Sequence, residues 1–208
     1  MMLVTKKQSC TEVVVELSEE LQPLAQHLFV AAWQQDQFSK LRKKISEGYV
    51  LLNMDFSENF ACISQNEIQS AHWWHEQVTI HPIVALYRCL KAGCDKTVVE
   101  SLIFISENKQ HDAHAVMKFV KIANKHLTEQ QGLVINKEIQ MSDGCSAQYK
   151  SRQPLTDLSY SILDFGFPSE RHFFGSRHGK GPSDGAGAVV KSFVRRGVLG
   201  QKAVVNNA

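Results

Sequence analysis

Over residues 49–106 four short, bounded apolar runs follow one another, and beyond Asp112 the pattern switches to helix and strand in alternation. This switch constrains the fold more than any other feature. Adjacent short strands pair as an antiparallel meander, whereas strands separated by helices lie parallel. The runs cover 49–56, 59–64, 77–89, where Pro82 predicts an irregularity, and 98–106. A helix follows over 112–129, with Val116, Phe119, Val120, Ala123 and Leu127 on its apolar face, and Gly132 breaks it. Strands are expected at 137–142, reaching back through Leu133, Val134 and Ile135, and at 171–176. Further helices are expected at 147–163, entered late at Pro154, and at 183–196. Ahead of the first strand, residues 18–47 repeat apolar side chains at helical spacing, with Pro23 in the first turn and Gly48 as the stop.

A meander that passes into helix–strand alternation predicts an α/β domain, a mixed sheet with helices on both faces and an added N-terminal helix. The order resembles that of the ribonuclease-H-like fold. The corresponding division is a helical extension over 1–48, the domain proper over 49–197 and a flexible tail over 198–208. With 43% hydrophobic and 21% charged residues, the 208-residue chain can bury a core and is not a disordered sequence. No apolar run approaches the ~18 residues that cross a membrane. Nor is there an apolar segment of signal-peptide length at the N-terminus, so an intracellular protein is expected. The cysteines (Cys10, Cys62, Cys89, Cys94 and Cys145) are scattered and read as reduced, buried thiols.

Three acids fall at the ends of these elements. Asp55 closes the run Leu51-Leu52-Asn53-Met54, Asp143 closes Ile139-Gln140-Met141-Ser142, and Asp184 opens the last helix. If the first two strands are parallel neighbours, both carboxylates project from one edge of the sheet. Hard divalent cations prefer carboxylate oxygens, and a pair of them about 3.5–4 Å apart serves phosphodiester cleavage. Mg²⁺ or Mn²⁺, two ions held by Asp55, Asp143 and Asp184, is therefore the expected cofactor, and zinc is disfavoured. Each acid also has a plainer reading. Asp143 before Gly144 suits a turn, and Asp184 after Ser183 suits the first turn of a helix. Asp55, deep in an apolar run, is the hardest to explain that way.

The overall formal charge is only +2, but residues 171–208 hold seven basic side chains against one acid, a net +6. Arg177, His178, Lys180, Lys191, Arg195 and Arg196 are candidate contacts to a phosphate backbone. The same stretch reads equally as a solvated tail. The glycines 179, 181 and 185 before a helix suit a phosphate-holding loop, though no nucleotide-binding fingerprint is present.

At these same residues the sequence resembles a known group. MDFSENF (54–60), QNEIQSAHWWHEQVTIHP (65–82), SDGCSAQYK (142–150) and HFFGSRHGKGPSDGAGAVVK (172–191) resemble the catalytic region of transposon-derived DDE/D transposases from animal genomes. HGKGPSDG is the specific string; the others are weaker alone. The resemblance implies a ribonuclease-H-like core, DNA as substrate, strand transfer as the reaction and the nucleus as location. It also implies Asp55, Asp143 and Asp184 as the successive acids, with Glu170 a less favoured third. It leaves self-association open. No zinc-finger spacing precedes the first strand, where such proteins carry a DNA-binding region, so a fragment or a domesticated, catalytically silent remnant that binds DNA or protein is the alternative expectation. His72, His75, His81, Cys89 and Cys94 lack metal-finger spacing, while Gln69, His72 or Trp73 would lie beside the substrate. His111 and His114 read as solvated caps at a helix start.

Overall fold

The computed structural model describes residues 6–62, 76–175 and 181–203. Six strands form one mixed sheet: β1 (Tyr49–Met54), β2 (Ser57–Ala61), β3 (Gln77–Arg88), β4 (Thr97–Ser106), β5 (Lys137–Ser142) and β6 (Ser169–Phe173). Around it lie α1 (Cys10–Lys43), α2 (Ala113–Lys125), α3 (Arg152–Ser159), α4 (Ser161–Phe165) and α5 (Pro182–Leu199). Across the sheet the order is β4-β3-β1-β5-β6, with β3 antiparallel to its neighbours and β1, β5 and β6 parallel. This is the ribonuclease-H-like arrangement.

β1 and β2 are one strand in two pieces. Both pair with the same edge of β3, β1 through Tyr87 to Ile83 and β2 from Ile80 onward, while β4 takes the other edge. The gap, Asp55 and Phe56, lies opposite His81 and Pro82. Proline has no N–H to give the ladder, so the pairing lapses there, and only a long Asp55 N–H to Pro82 C=O contact of 3.5 Å remains. The irregularity expected at Pro82 thus appears on the partner strand; Pro82 itself stays in register with Ile103 of β4.

Side-chain alternation sorts the sheet into two faces. Val50, Leu52 and Met54 pack with Ile83 and Ala85 beneath Val116, Val120 and Ala123 of α2. Leu51, Val84, Ile139 and Met141 pack on the other face with Phe38 of α1 and Ala186 of α5. Burying both faces of β1 explains its unbroken apolar run.

Several boundaries differ from the sequence reading. α1 starts at Cys10, where Ser9 accepts from the Glu12 N–H at 3.3 Å and the Glu12 carboxylate accepts from the Ser9 N–H at 2.8 Å, a reciprocal cap. Pro23 therefore lies inside the helix rather than in its first turn, and α1 ends at Lys43, before Gly48. Gly48 is needed for another reason. It has φ +75° and its Cα abuts the Asn136 side chain, so a Cβ would collide there. Leu133 to Asn136 do not extend β5. The Leu133 N–H closes on Leu127 C=O at 3.0 Å, and the Asn136 N–H donates to Gly48 C=O at 2.7 Å. Those backbone groups are thereby spent on ending the π-helical turn His126–Gln130 and seating β1. Helix α3 begins at Arg152 with Pro154 in its first turn, and α5 continues to Leu199.

Candidate functional site

The site is built where β1 and β5 end side by side. Their parallel ladder runs from Tyr49 with Lys137 to Asn53 with Met141, one constant offset. Asp55 and Asp143 each stand two positions past that last pair, so they face one another across the end of the ladder. A buried asparagine joins this end to the third acid. Asn53 Oδ1 accepts from the Ser183 N–H at 2.9 Å, and Asn53 Nδ2 donates to the Met141 carbonyl at 3.3 Å. One amide therefore ties together β1, β5 and the start of α5, the three elements that carry the acids. The approach is close enough to demand glycine at 181, where a Cβ would come within 2.6 Å of Asn53 Oδ1. Gly187, six residues on, abuts Ser57 Oγ, which a Cβ would meet at 2.9 Å. Gly181 thus serves packing, while Gly185 faces open space and Gly179 lies outside the described residues.

Electrostatics register the gathering. Asp55, half-buried, has its carboxyl pushed up to about 7, first by burial, then by the charge of Asp143, then by that of Asp184, against a lowering contribution from the Phe56 N–H. Both partner acids are thus near enough to act on it. Tyr149, fully buried, is raised well above the ordinary phenol by burial and by Asp55 and Asp143, while Arg171 opposes. Its hydroxyl lies 3.1 Å from Nε2 of the buried His81, whose pKa burial lowers to about 3, so that imidazole is neutral.

The plainer readings of two acids also hold locally. Asp143 Oδ1 accepts from the Cys145 N–H at 3.1 Å in a turn, and Asp184 Oδ2 accepts from the Gly181 N–H at 2.7 Å at the helix start. With carboxylates turned to these amides, no group of three or more His, Cys, Asp or Glu side chains among the described residues closes into a ready metal shell. The donor set itself is all carboxylate oxygen, the chemistry that magnesium and manganese prefer.

Of the basic candidates, Arg177, His178 and Lys180 lie outside the described residues, as do Gln69, His72, Trp73 and His75. Asp184, Lys191 and Arg195 share one stripe of α5 by helical spacing, whereas Arg196 is turned about 100° away and donates to Ser192 C=O at 3.3 Å. Arg171 does not belong to the basic surface. It is largely buried and its guanidinium donates to Gln140 Oε1 at 2.8 and 2.6 Å. Glu170 pairs with Lys137 at 2.8 Å and stands opposite Ile139, away from the acidic end. His111 is not a solvated cap; it is half-buried and lies 2.7 Å from Asn59 Oδ1, and Asp112 caps α2 instead. Cys89 and Cys94 are free thiols in the β3–β4 loop. Sequence reasoning missed Asn53, although a lone amide in an apolar run was the available signal, because a buried polar group needs partners.

Fold and geometry define a ribonuclease-H-like α/β domain with three carboxylates at one end of its sheet. The chain belongs to the family described as domain of unknown function DUF8701, whose model matches residues 34–208 and so takes in all three acids. No curated protein matches the chain.

Proposed function

We propose that this domain cuts and transfers phosphodiesters of DNA, in the manner of DDE/D transposases, with Asp55, Asp143 and Asp184 holding two Mg²⁺ or Mn²⁺ ions. One observation carries the reading: Asp55 and Asp143 stand side by side past the end of the β1–β5 ladder, and the carboxyl of Asp55, raised to about 7 first by burial, is raised further by the charges of Asp143 and Asp184. Gathering three like charges is unfavourable for folding alone and points to a cationic ligand. When bound, such ions activate the attacking oxygen and stabilise the leaving one. Asp55 and Asp143 are aligned by the strand ladder, and Asp184 by the Asn53 clasp. Lys191 and Arg195, on the same stripe of α5 as Asp184, give the DNA backbone a place to lie. A nuclear location follows from that substrate. Among the described residues no helix is long and apolar enough to cross a membrane.

A second reading, a module that binds DNA without cutting it, draws on the Asp143 and Asp184 carboxylates already accepting from local amides. Nicking of supercoiled DNA with Mg²⁺ or Mn²⁺ separates the two. Cutting that is lost in Asp55→Asn and in Asp143→Asn supports the enzyme. Salt-sensitive binding without cutting supports the module, and cutting that survives both substitutions removes the proposed site.

A further inference from the structure

The longest helix is the least covered. From Cys10 to Gln26 every residue of α1 is exposed; His27 and Val30 already line a cavity beside β6, and among the described residues the helix buries only Ala31 and Phe38. About 25 Å of rod thus stands clear of the core. Along it, Val14, Leu17, Leu21, Leu24, Leu28 and Ala31 recur at alternating steps of three and four, the spacing of a coiled-coil seam. The first five are 45–61% exposed, large apolar side chains at a density that a lone soluble helix does not carry without a partner. At Ala31 the seam enters the domain, where Gly175 lies so close that a Cβ there would approach the Ala31 Cβ to 2.9 Å.

We infer that two copies of this chain pair through α1, antiparallel, with Leu21 opposite Leu21, Leu17 opposite Leu24 and Val14 opposite Leu28. Charge selects both the occupant and the direction. Glu12, Glu16, Glu19 and Glu20 crowd the first half of α1, whereas residues 21–35 hold no acid, and no Lys or Arg lies between Lys7 and Lys40. Such a helix is repelled by anionic lipid, which interfacial helices engage through lysine and arginine. A parallel pair would set the four glutamates of each copy alongside those of the other. The antiparallel pair sets each acidic half against an acid-free half and places the two globular domains at opposite ends. Pro23 and three of the glutamates lie on the back of the helix, off the seam, so neither blocks the approach.

The test is the mass of the chain in solution by light scattering after gel filtration, at micromolar concentrations. The expected result is twice the chain mass for the wild type and a single chain for Leu17→Glu/Leu24→Glu, with helix content by circular dichroism retained. A monomeric wild type overturns the inference, and so does a dimer that survives both glutamates. Cys10, exposed and on the seam, reads the direction. In the antiparallel pair the two Cys10 thiols lie about 30 Å apart. Mild oxidation therefore yields no more covalent dimer than Cys10→Ser does. A Cys10-dependent disulfide dimer would overturn the antiparallel arrangement.

Discussion

Two carboxyls on neighbouring strands, Asp55 and Glu138, are both withdrawn from water and both raised in pKa by burial, yet their surroundings are opposite. Glu138 accepts from the Gln140 amide and has the Arg171 charge working to lower it. That guanidinium donates in turn to Gln140 and to the Tyr149 carbonyl. Asp55 has two further carboxylates beside it. Glu138 has an amide donor on one oxygen and a guanidinium charge near it, although its Oε2 is buried without a hydrogen-bond partner, whereas Asp55 has only like charges beside it and would gain from a cation. The contrast separates an acid that has a positive charge at hand from one that has only like charges beside it.

The sharpest way to break that contrast is catalytic. Asp55→Asn is expected to lower Mg²⁺-dependent nicking by at least about a thousandfold, on the order of 4 kcal/mol of barrier. Glu138→Gln should leave it within a few fold, measured under single-turnover conditions. Equal losses in both would erase the distinction.

Next in size is the clasp. Asn53→Leu leaves the Ser183 N–H and the Met141 carbonyl without their partner, and should destabilise the fold by about 2–3 kcal/mol. A thermal midpoint lower by roughly 5–10 °C would register it. A midpoint unchanged within error would mean that α5 is held by other contacts.

A smaller effect has the opposite sign. The folded pKa of Asp55, about 7, exceeds its ordinary 3.8, so the folded state holds the proton more tightly. Its contribution to stability is complete below pH 4 and is lost as the pH rises through 7. Without divalent cations, Asp55→Asn should therefore stabilise the protein above pH 7 by roughly 1–2 kcal/mol, discounted for the solvent that still reaches the group. It should also flatten the decline between pH 4 and 7 in denaturant titrations. A steeper decline in the variant would reverse the assignment. The smallest effect concerns DNA. Arg195→Ala should reduce the slope of log affinity against log salt by about 1. Arg196→Ala, on the other side of the helix, should change it less.

Much of this was legible in the residues because local pattern and burial agreed. The run 49–56 is apolar on both faces and ends in a charge, and β1 is indeed covered on both sides with Asp55 just past its end. The alternation after Asp112 placed α2, β5 and α5 close to their observed bounds. What stayed hidden depends on distant partners. Leu133 to Ile135 have strand composition but lose their backbone groups to a helix end and to Gly48. Arg171 counted as surface charge until Gln140 and Tyr149 drew it inside. The start of α1 lies upstream of the expected one because Ser18-Glu19-Glu20 also suits a helix opening, whereas the Ser9–Glu12 cap begins the helix.

The amide of Asn53 reaches a backbone group 130 positions further along the chain. Loop closure over that span is among the slowest contacts a domain of this size makes. During synthesis the ends of β1 and β5 can meet while the final helix is still inside the ribosome. The third charge joins the other two only once α5 has been made, so the repulsion among them arises after β1, β3 and β5 already exist to withstand it.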